Sequence, residues 1–272
     1  MLNILLFLAI FGYLLATLLI ARTVSAKDNA SSLSTPFLCA ALGLIAHWTY
    51  TINISWSNNL LNFNLSSMTT LVSALIVSIY LVGCLTMRIR KLGILVFPLT
   101  VLCLLFSLLW AELGNNEAVY LDRQSNAFNV HILISLLAYS LLNIAVIQAL
   151  LYAYQDRQFK NRTSTTLLSA LPPLQTMELL LFRLITIGFI FLTLTLASGA
   201  IFSQQIFHQA FEFNHHTALA ILGWIVFAIL LFKRYKSGLR GSQAVIWTVS
   251  GFLLILLGYF GTKLITESFN IQ

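Results

Sequence analysis

The sequence predicts an all-α membrane protein, a bundle of eight transmembrane helices with both termini on the external side. Hydrophobic residues make up 59% of the 272 residues, and charged residues make up only 8%. Soluble domains carry about 25% charged residues. The net charge of +7 is therefore assigned to the flanks of membrane helices, and no nucleic-acid partner is expected.

Eight apolar runs are long enough to cross a bilayer, which takes roughly 20 helical residues. They cover residues 2–21, 36–54, 67–85, 92–110, 131–160, 183–204, 215–232 and 243–263. The first run has no preceding positive charge and is too long for a signal peptide, so a retained helix is expected. The apolar spacing of Leu174, Met177, Leu180 and Leu181 favours a separate interfacial helix before the sixth run. Residues 1–272 are expected to form a single polytopic domain.

The basic residues predict the orientation. Thirteen of the fifteen Lys and Arg residues lie in or beside the connections between runs 1–2, 3–4, 5–6 and 7–8. Positive charge collects on the cytoplasmic side of membrane proteins. Those four connections are therefore predicted to be cytoplasmic, and both termini to be external.

The fifth run carries a polar stripe. His131, Ser135, Tyr139 and Asn143 recur at every fourth residue, so they share one helical face. Polar side chains facing lipid are costly. This face is therefore expected to point into a helix bundle or a cavity, with His131 at its external end.

Under this topology all five histidines lie on the external side of the membrane: His47, His131, His208, His215 and His216. Neutral imidazoles from separate helices are what an axially ligated heme iron needs. Zinc also takes imidazole ligands, but beyond Glu212 no set of carboxylates or thiolates lies near them in the sequence. Taken alone, each histidine is explained at least as well as an interfacial residue at headgroup depth.

The segment HILISLLAYSLLNIAVIQALLYAYQDRQFK, residues 131–160, resembles the signature segment of the cytochrome c assembly protein family, the CcsA-type heme-handling membrane proteins. The downstream residues that fit the same family are Leu171-Pro172-Pro173-Leu174, Glu178, Phe182-Arg183, Gly188-Phe189, Leu192-Thr193, Gly199, Trp224, Arg240-Gly241 and Tyr259-Phe260-Gly261. The resemblance covers about residues 65–265. Size and helix number are most similar to the short YpjD/HemX-like branch.

The resemblance implies a multi-pass protein of the bacterial inner membrane that handles heme and presents it to apocytochrome c on the outer face. It implies a b-type, non-covalent heme as cofactor, and apocytochrome or other cytochrome c maturation proteins as partners beside the lipid bilayer. His131 matches the first external axial histidine of the larger members.

Two departures favour an accessory role rather than a full synthetase or another enzyme. The Trp-rich external motif of the larger members is expected between runs six and seven, where this chain reads SQQIFHQAFEFNHHT. Larger members also carry a histidine where this chain has Phe232. The alternative is a permease, or a scaffold or regulatory protein, that kept the fold without binding heme.

The predicted metal ligands are His131 and His215, each in the first turn of a helix that starts at the external interface. His216 lies about 100° around the helix from His215, so both cannot face one iron. His47, one to two turns deeper, is the main rival for a place in the cofactor site. His208 is expected to face solvent.

Overall fold

A computed structural model describes residues 2–25, 34–57, 60–62, 64–86, 89–113, 126–162, 171–201 and 215–264. The chain divides into two compact units. The first comprises Met1–Leu121 and Gln155–Pro173, and the second comprises Asp122–Tyr154 and Leu174–Gln272. That residues 1–272 form a single polytopic domain stays a prediction.

The long elements of the described ranges are all α-helical. They are α1 (Leu2–Ser25), α2 (Ser34–Ser55), α3 (Leu65–Thr86), α4 (Gly93–Glu112), α5 (Asn126–Lys160), α6 (Leu174–Ile201), α7 (His215–Ser237) and α8 (Ser242–Leu256). A two-residue hairpin, β1 (Trp56–Ser57) and β2 (Leu60–Leu61), joins α2 to α3, and a 3-10 turn, Arg90–Leu92, precedes α4. Eight helices are long and apolar enough to cross a membrane. The predicted helical class and number of spans are confirmed, and the orientation stays a prediction.

In the first unit, α1 packs against α2 and α4, and α3 packs against the same two helices. Small residues allow the closest approach, because a Cβ built on Gly12 would lie 3.0 Å from the Cα of Gly43. Aromatic rings fill the interior, where Tyr13 stacks on Phe97 at 5.7 Å and Tyr80 meets the same ring edge-on at 5.5 Å. These four helices form a ring around a shared interior.

In the second unit, α7 packs against both α6 and α8. Glycine allows the helices to approach closely, since a Cβ on Gly251 would lie 3.0 Å from the ring of Phe227. On the other side, a Cβ on Gly188 of α6 would lie 2.7 Å from Leu142 of α5. The sequence pattern of small residues therefore marks real helix contacts.

The predicted interfacial helix before the sixth span is wrong. Residues 174–182 form the first turns of α6, which runs without interruption for 28 residues after Pro172 and Pro173. Met177 and Leu181 are buried in the interior of the unit. Their periodic spacing reflects packing against neighbouring helices rather than against lipid headgroups.

Candidate functional site

His131 lies near the start of α5 and is held by α6. Its Nδ1 lies 2.9 Å from the Oγ of Ser198, and a Cβ built on the next residue, Gly199, would lie only 3.3 Å from its Cε1. A side chain larger than glycine at that position would crowd the imidazole. The sequence therefore supplies both a hydrogen-bond partner and the space for the ring.

The polar stripe below His131 is half-buried. The Ser135 hydroxyl donates to the His131 carbonyl at 2.7 Å. One turn further, the Tyr139 hydroxyl donates to the Ile255 carbonyl of α8 at 3.3 Å. The stripe therefore contacts α6 through His131 and α8 through Tyr139.

His215 and His216 occupy the first turn of α7 and are both exposed. The ring of His216 meets that of Tyr259 edge-on, at a centroid distance of 6.1 Å. His216 also lies close enough to His131 for the two imidazoles to interact electrostatically. Within the described part of the chain, His215 makes no hydrogen bond or ring contact. Of the two, the structure brings His216 toward His131.

The end of α8 supports this arrangement through a π-turn, Leu257–Gly261. Such single-turn widenings occur frequently at functional sites. The turn carries Tyr259, whose ring lies 6.0 Å from that of Tyr139, and Phe260, 6.4 Å from the same ring. Aromatic rings from α5 and from the π-turn therefore lie together, and His216 contacts one of them.

His47 lies in the first unit and is fully buried. Its Nδ1 is 3.0 Å from the Tyr13 hydroxyl, and its Nε2 is 3.4 Å from the Ser73 hydroxyl. Both ring nitrogens thus have partners within the first unit. His208 lies outside the described residues.

A second cluster fixes the other end of the second unit. Arg234 of α7 forms an ion pair with Glu178 of α6, lies 4.4 Å over the ring of Phe182, and donates to the Leu239 carbonyl at 3.1 Å. The Tyr152 hydroxyl of α5 donates to the same carboxylate at 3.4 Å. Three helices are therefore tied together at the end of the unit remote from His131.

Sequence reasoning missed Ser198 as the partner of His131 and Arg234 as the partner of Glu178. Nothing in the sequence marks Ser198 as a contact of His131, except that it comes directly before Gly199, a residue that fits the family pattern. Glu178 gave a stronger signal, because an acidic residue inside an apolar segment needs a partner. Within the described ranges, no three His, Cys, Asp or Glu side chains are arranged to hold a metal ion.

The sequence profile described as Cytochrome C assembly protein matches residues 4–270. The chain belongs to this family. The match extends beyond the residues 65–265 that carry the resemblance in the sequence. No solved structure matches the chain.

Curated relatives agree with this assignment. The chain is 31% identical to the inner membrane protein YpjD of Escherichia coli K12 over 206 aligned residues. These residues make up 76% of each chain. It is 28% identical over 202 residues to the cytochrome c biogenesis protein CcsA of Chlamydomonas reinhardtii, covering 71% of this chain and 55% of that protein. A CcsA from Guizotia abyssinica is 38% identical over 84 residues, covering 31% of this chain and 26% of the relative. The chain thus spans less than two thirds of the CcsA proteins it matches.

The membership confirms the predicted family and its YpjD-like branch. It also confirms the predicted setting, a multi-pass protein of the inner membrane, together with the eight membrane-spanning helices.

Proposed function

We propose that this protein is a heme-binding accessory of cytochrome c assembly, acting at the external face of the inner membrane. The observation that carries the proposal is the chain of ring contacts from His216 of α7 through Tyr259 to Tyr139, which lies two turns from His131 on α5. Two imidazoles and flanking aromatic side chains are a fitting environment for a porphyrin. If a b-type heme binds there, His131 and His216 would hold its iron.

The contact with Ser198 supports His131 as an axial ligand. The Ser198 hydroxyl donates its proton to the Thr195 carbonyl at 3.0 Å, so its oxygen accepts from His131. With the proton of His131 on Nδ1, Nε2 would be the nitrogen that coordinates the iron. A histidine that binds a metal commonly gives its other ring N–H to such a partner, which fixes the ring and its tautomer.

The second ligand of this proposal comes from the first turn of α7. The ring contact with Tyr259 and the approach to His131 favour His216 over His215. His215 remains the prediction from the sequence. His47 remains a weaker candidate, because Tyr13 and Ser73 already engage its two nitrogens.

The orientation belongs to the same proposal. Thirteen of fifteen basic residues flank the connections that the positive-inside rule assigns to the cytoplasm. The starts of α5 and α7, with their histidines, are then external. That is the side on which heme would be handed to apocytochrome c or to another maturation protein.

The accessory role is supported by the segment between α6 and α7, which contains no tryptophan. A synthetase must hold the heme edge against the apocytochrome while the thioether bonds form, and the Trp-rich motif of larger family members is absent here. We therefore propose heme handling without thioether formation. A strain lacking its synthetase should stay without holocytochrome c when supplied with this chain alone, and restoration would contradict the accessory role.

The test of heme binding is direct. The protein is purified in mild detergent from heme-replete membranes, and its heme is extracted with acidified acetone. A b-type heme should appear in the organic phase in near-stoichiometric amount. Protein that remains folded but carries no heme, even after heme is added, would favour the alternative, a permease or scaffold that kept the fold.

A further inference from the structure

The first unit has an unusually polar interior for a membrane protein. Among the described residues, twelve of the sixteen buried polar side chains lie between His47 and Ser107. Polar groups inside a membrane helix bundle are expensive unless they have partners or line a hydrated path. Whether these side chains have protein partners therefore indicates whether the interior is a dry packing interface or a route for water.

These polar groups begin at the hairpin between α2 and α3. The Asn64 side-chain oxygen accepts from the Ser67 amide at 2.9 Å, and the Ser67 hydroxyl donates to the Ile54 carbonyl at 3.4 Å. Beside them, the hydroxyls of Ser66 and Ser107 are 2.7 Å apart. The hairpin end of the unit is thus lined with hydrogen-bonding groups from α2, α3 and α4.

The polar groups continue to the middle of the unit. The Ser73 hydroxyl donates to the Thr70 carbonyl at 2.9 Å and lies 3.4 Å from His47, which in turn contacts Tyr13. His47 is eight residues before the end of α2 at Ser55, which corresponds to a depth of about 12 Å at 1.5 Å per residue. Tyr13, which contacts His47, also stacks on the ring of Phe97.

Two hydroxyls in this interior have no protein partner. Thr51 and Ser55 are 1% and 2% exposed, and neither Oγ makes a hydrogen bond within the described residues. Helical Ser and Thr side chains commonly donate to the carbonyl four residues earlier. Thr49, Thr69 and Thr100 of the same unit all do so. The Thr51 and Ser55 hydroxyls are therefore turned away from their own backbone.

We propose that the first unit binds an internal water between Thr51 and Ser55, and that this water is part of a hydrated column leading from the hairpin to His47. Residues four apart share a helical face, with Cβ atoms roughly 5–6 Å apart, so one water can bridge their hydroxyls. Buried waters typically satisfy polar groups that lack protein partners. His47, Thr51 and Ser55 occupy one face of α2, one turn apart, so the bridging water lies on the same helical face as the imidazole.

This column would give water a path from the hairpin end of the first unit to His47. The ligand is water, and neither His131 nor His216 of the proposed heme site takes part. The inference therefore goes beyond the proposed function, and either can fail without the other.

Hydroxyl-radical footprinting with X-rays tests the column on the whole purified protein. Radiolysis of a bound water oxidises the side chains beside it even when they are buried, whereas dry buried side chains react slowly. After correction for intrinsic reactivity, His47 should be oxidised several-fold faster than Phe97, which is equally buried in the same unit. Equal rates for His47 and Phe97 would overturn the proposal.

The matched variants are Thr51→Val and Thr49→Val, which make the same change on the same helix. Thr51→Val removes a partner of the proposed water and should lower His47 oxidation several-fold, while Thr49→Val, whose hydroxyl bonds only to its own helix, should not. Ser55→Ala gives a second test if Thr51→Val fails to fold. Oxidation of His47 that is unchanged in Thr51→Val or in folded Ser55→Ala would mean that these hydroxyls are dry packing groups.

Discussion

The Nδ1 of His131 lies 2.9 Å from the Oγ of Ser198, a residue 67 positions later in the chain. Because the Ser198 hydroxyl donates to its own helix, it acts as an acceptor toward the imidazole. The contact joins α5 to α6 at the level of the polar stripe and fixes the ring of the histidine on which the proposed site depends.

Ser198→Ala should weaken heme binding without unfolding the protein. Loss of a hydrogen bond to a metal-binding histidine typically costs about 10- to 100-fold in affinity. The measurement is a heme titration of the apoprotein followed by Soret absorption. Thr186→Ala is the control, since its hydroxyl bonds only to the Phe182 carbonyl of the same helix. Equal affinities in the two variants would mean that the Ser198 contact has no role in binding.

His216→Ala and His215→Ala should separate the two candidates for the second ligand. His216 contacts Tyr259 and approaches His131, so its loss should convert a six-coordinate low-spin heme to a high-spin form. His215→Ala should retain the low-spin signal. Electron paramagnetic resonance of the oxidised protein distinguishes the forms. The opposite result would restore His215, the ligand that the sequence predicts.

The difference between these neighbours illustrates what a sequence can and cannot provide. Helical geometry predicts that His215 and His216 point about 100° apart. Which of them contacts Tyr259 depends on how the π-turn after α8 packs on α7, where a Cβ on Gly258 would lie 3.4 Å from the His216 carbonyl. The π-turn that carries Tyr259 has no periodic signature in the sequence, so this choice was not predictable.

The eight helices were predictable because bilayer thickness sets the length of each apolar run. The start of α6 was not. The spacing of Leu174, Met177, Leu180 and Leu181 favours an interfacial helix there, and Glu178 lies among them. The partner that makes this carboxylate acceptable inside the unit, Arg234, lies 56 residues later and comes close only in the folded chain.

Arg234→Gln should destabilise the protein, because it leaves the largely buried Glu178 carboxylate without its cation. A buried group left without a partner costs about 1–3 kcal/mol, and more when charged. Thermal unfolding in detergent should therefore show a lower midpoint than the wild type. Arg240→Gln, a change at an exposed site, should leave the midpoint unchanged. Equal midpoints in the two variants would show that the ion pair contributes no net stability.

The distribution of basic residues predicts the outcome of reporter fusions. A reporter that works only outside the cytoplasm should be active when fused after Gln272 and inactive when fused after Arg162. A cytoplasmic reporter should give the reverse pattern. An inactive external reporter after Gln272, in protein that is stably produced, would invert the proposed orientation and move the histidines to the cytoplasmic side.

The most direct test of the central claim is the absorption spectrum of the reduced, purified protein with and without His131. Wild-type protein should give a sharp Soret band and resolved α and β bands, as expected for heme held by two histidines. His131→Ala should lose this spectrum, while His208→Ala, expected to face solvent, should keep it. An unchanged bis-histidine spectrum in His131→Ala would contradict the assignment of this site as the place where heme is bound.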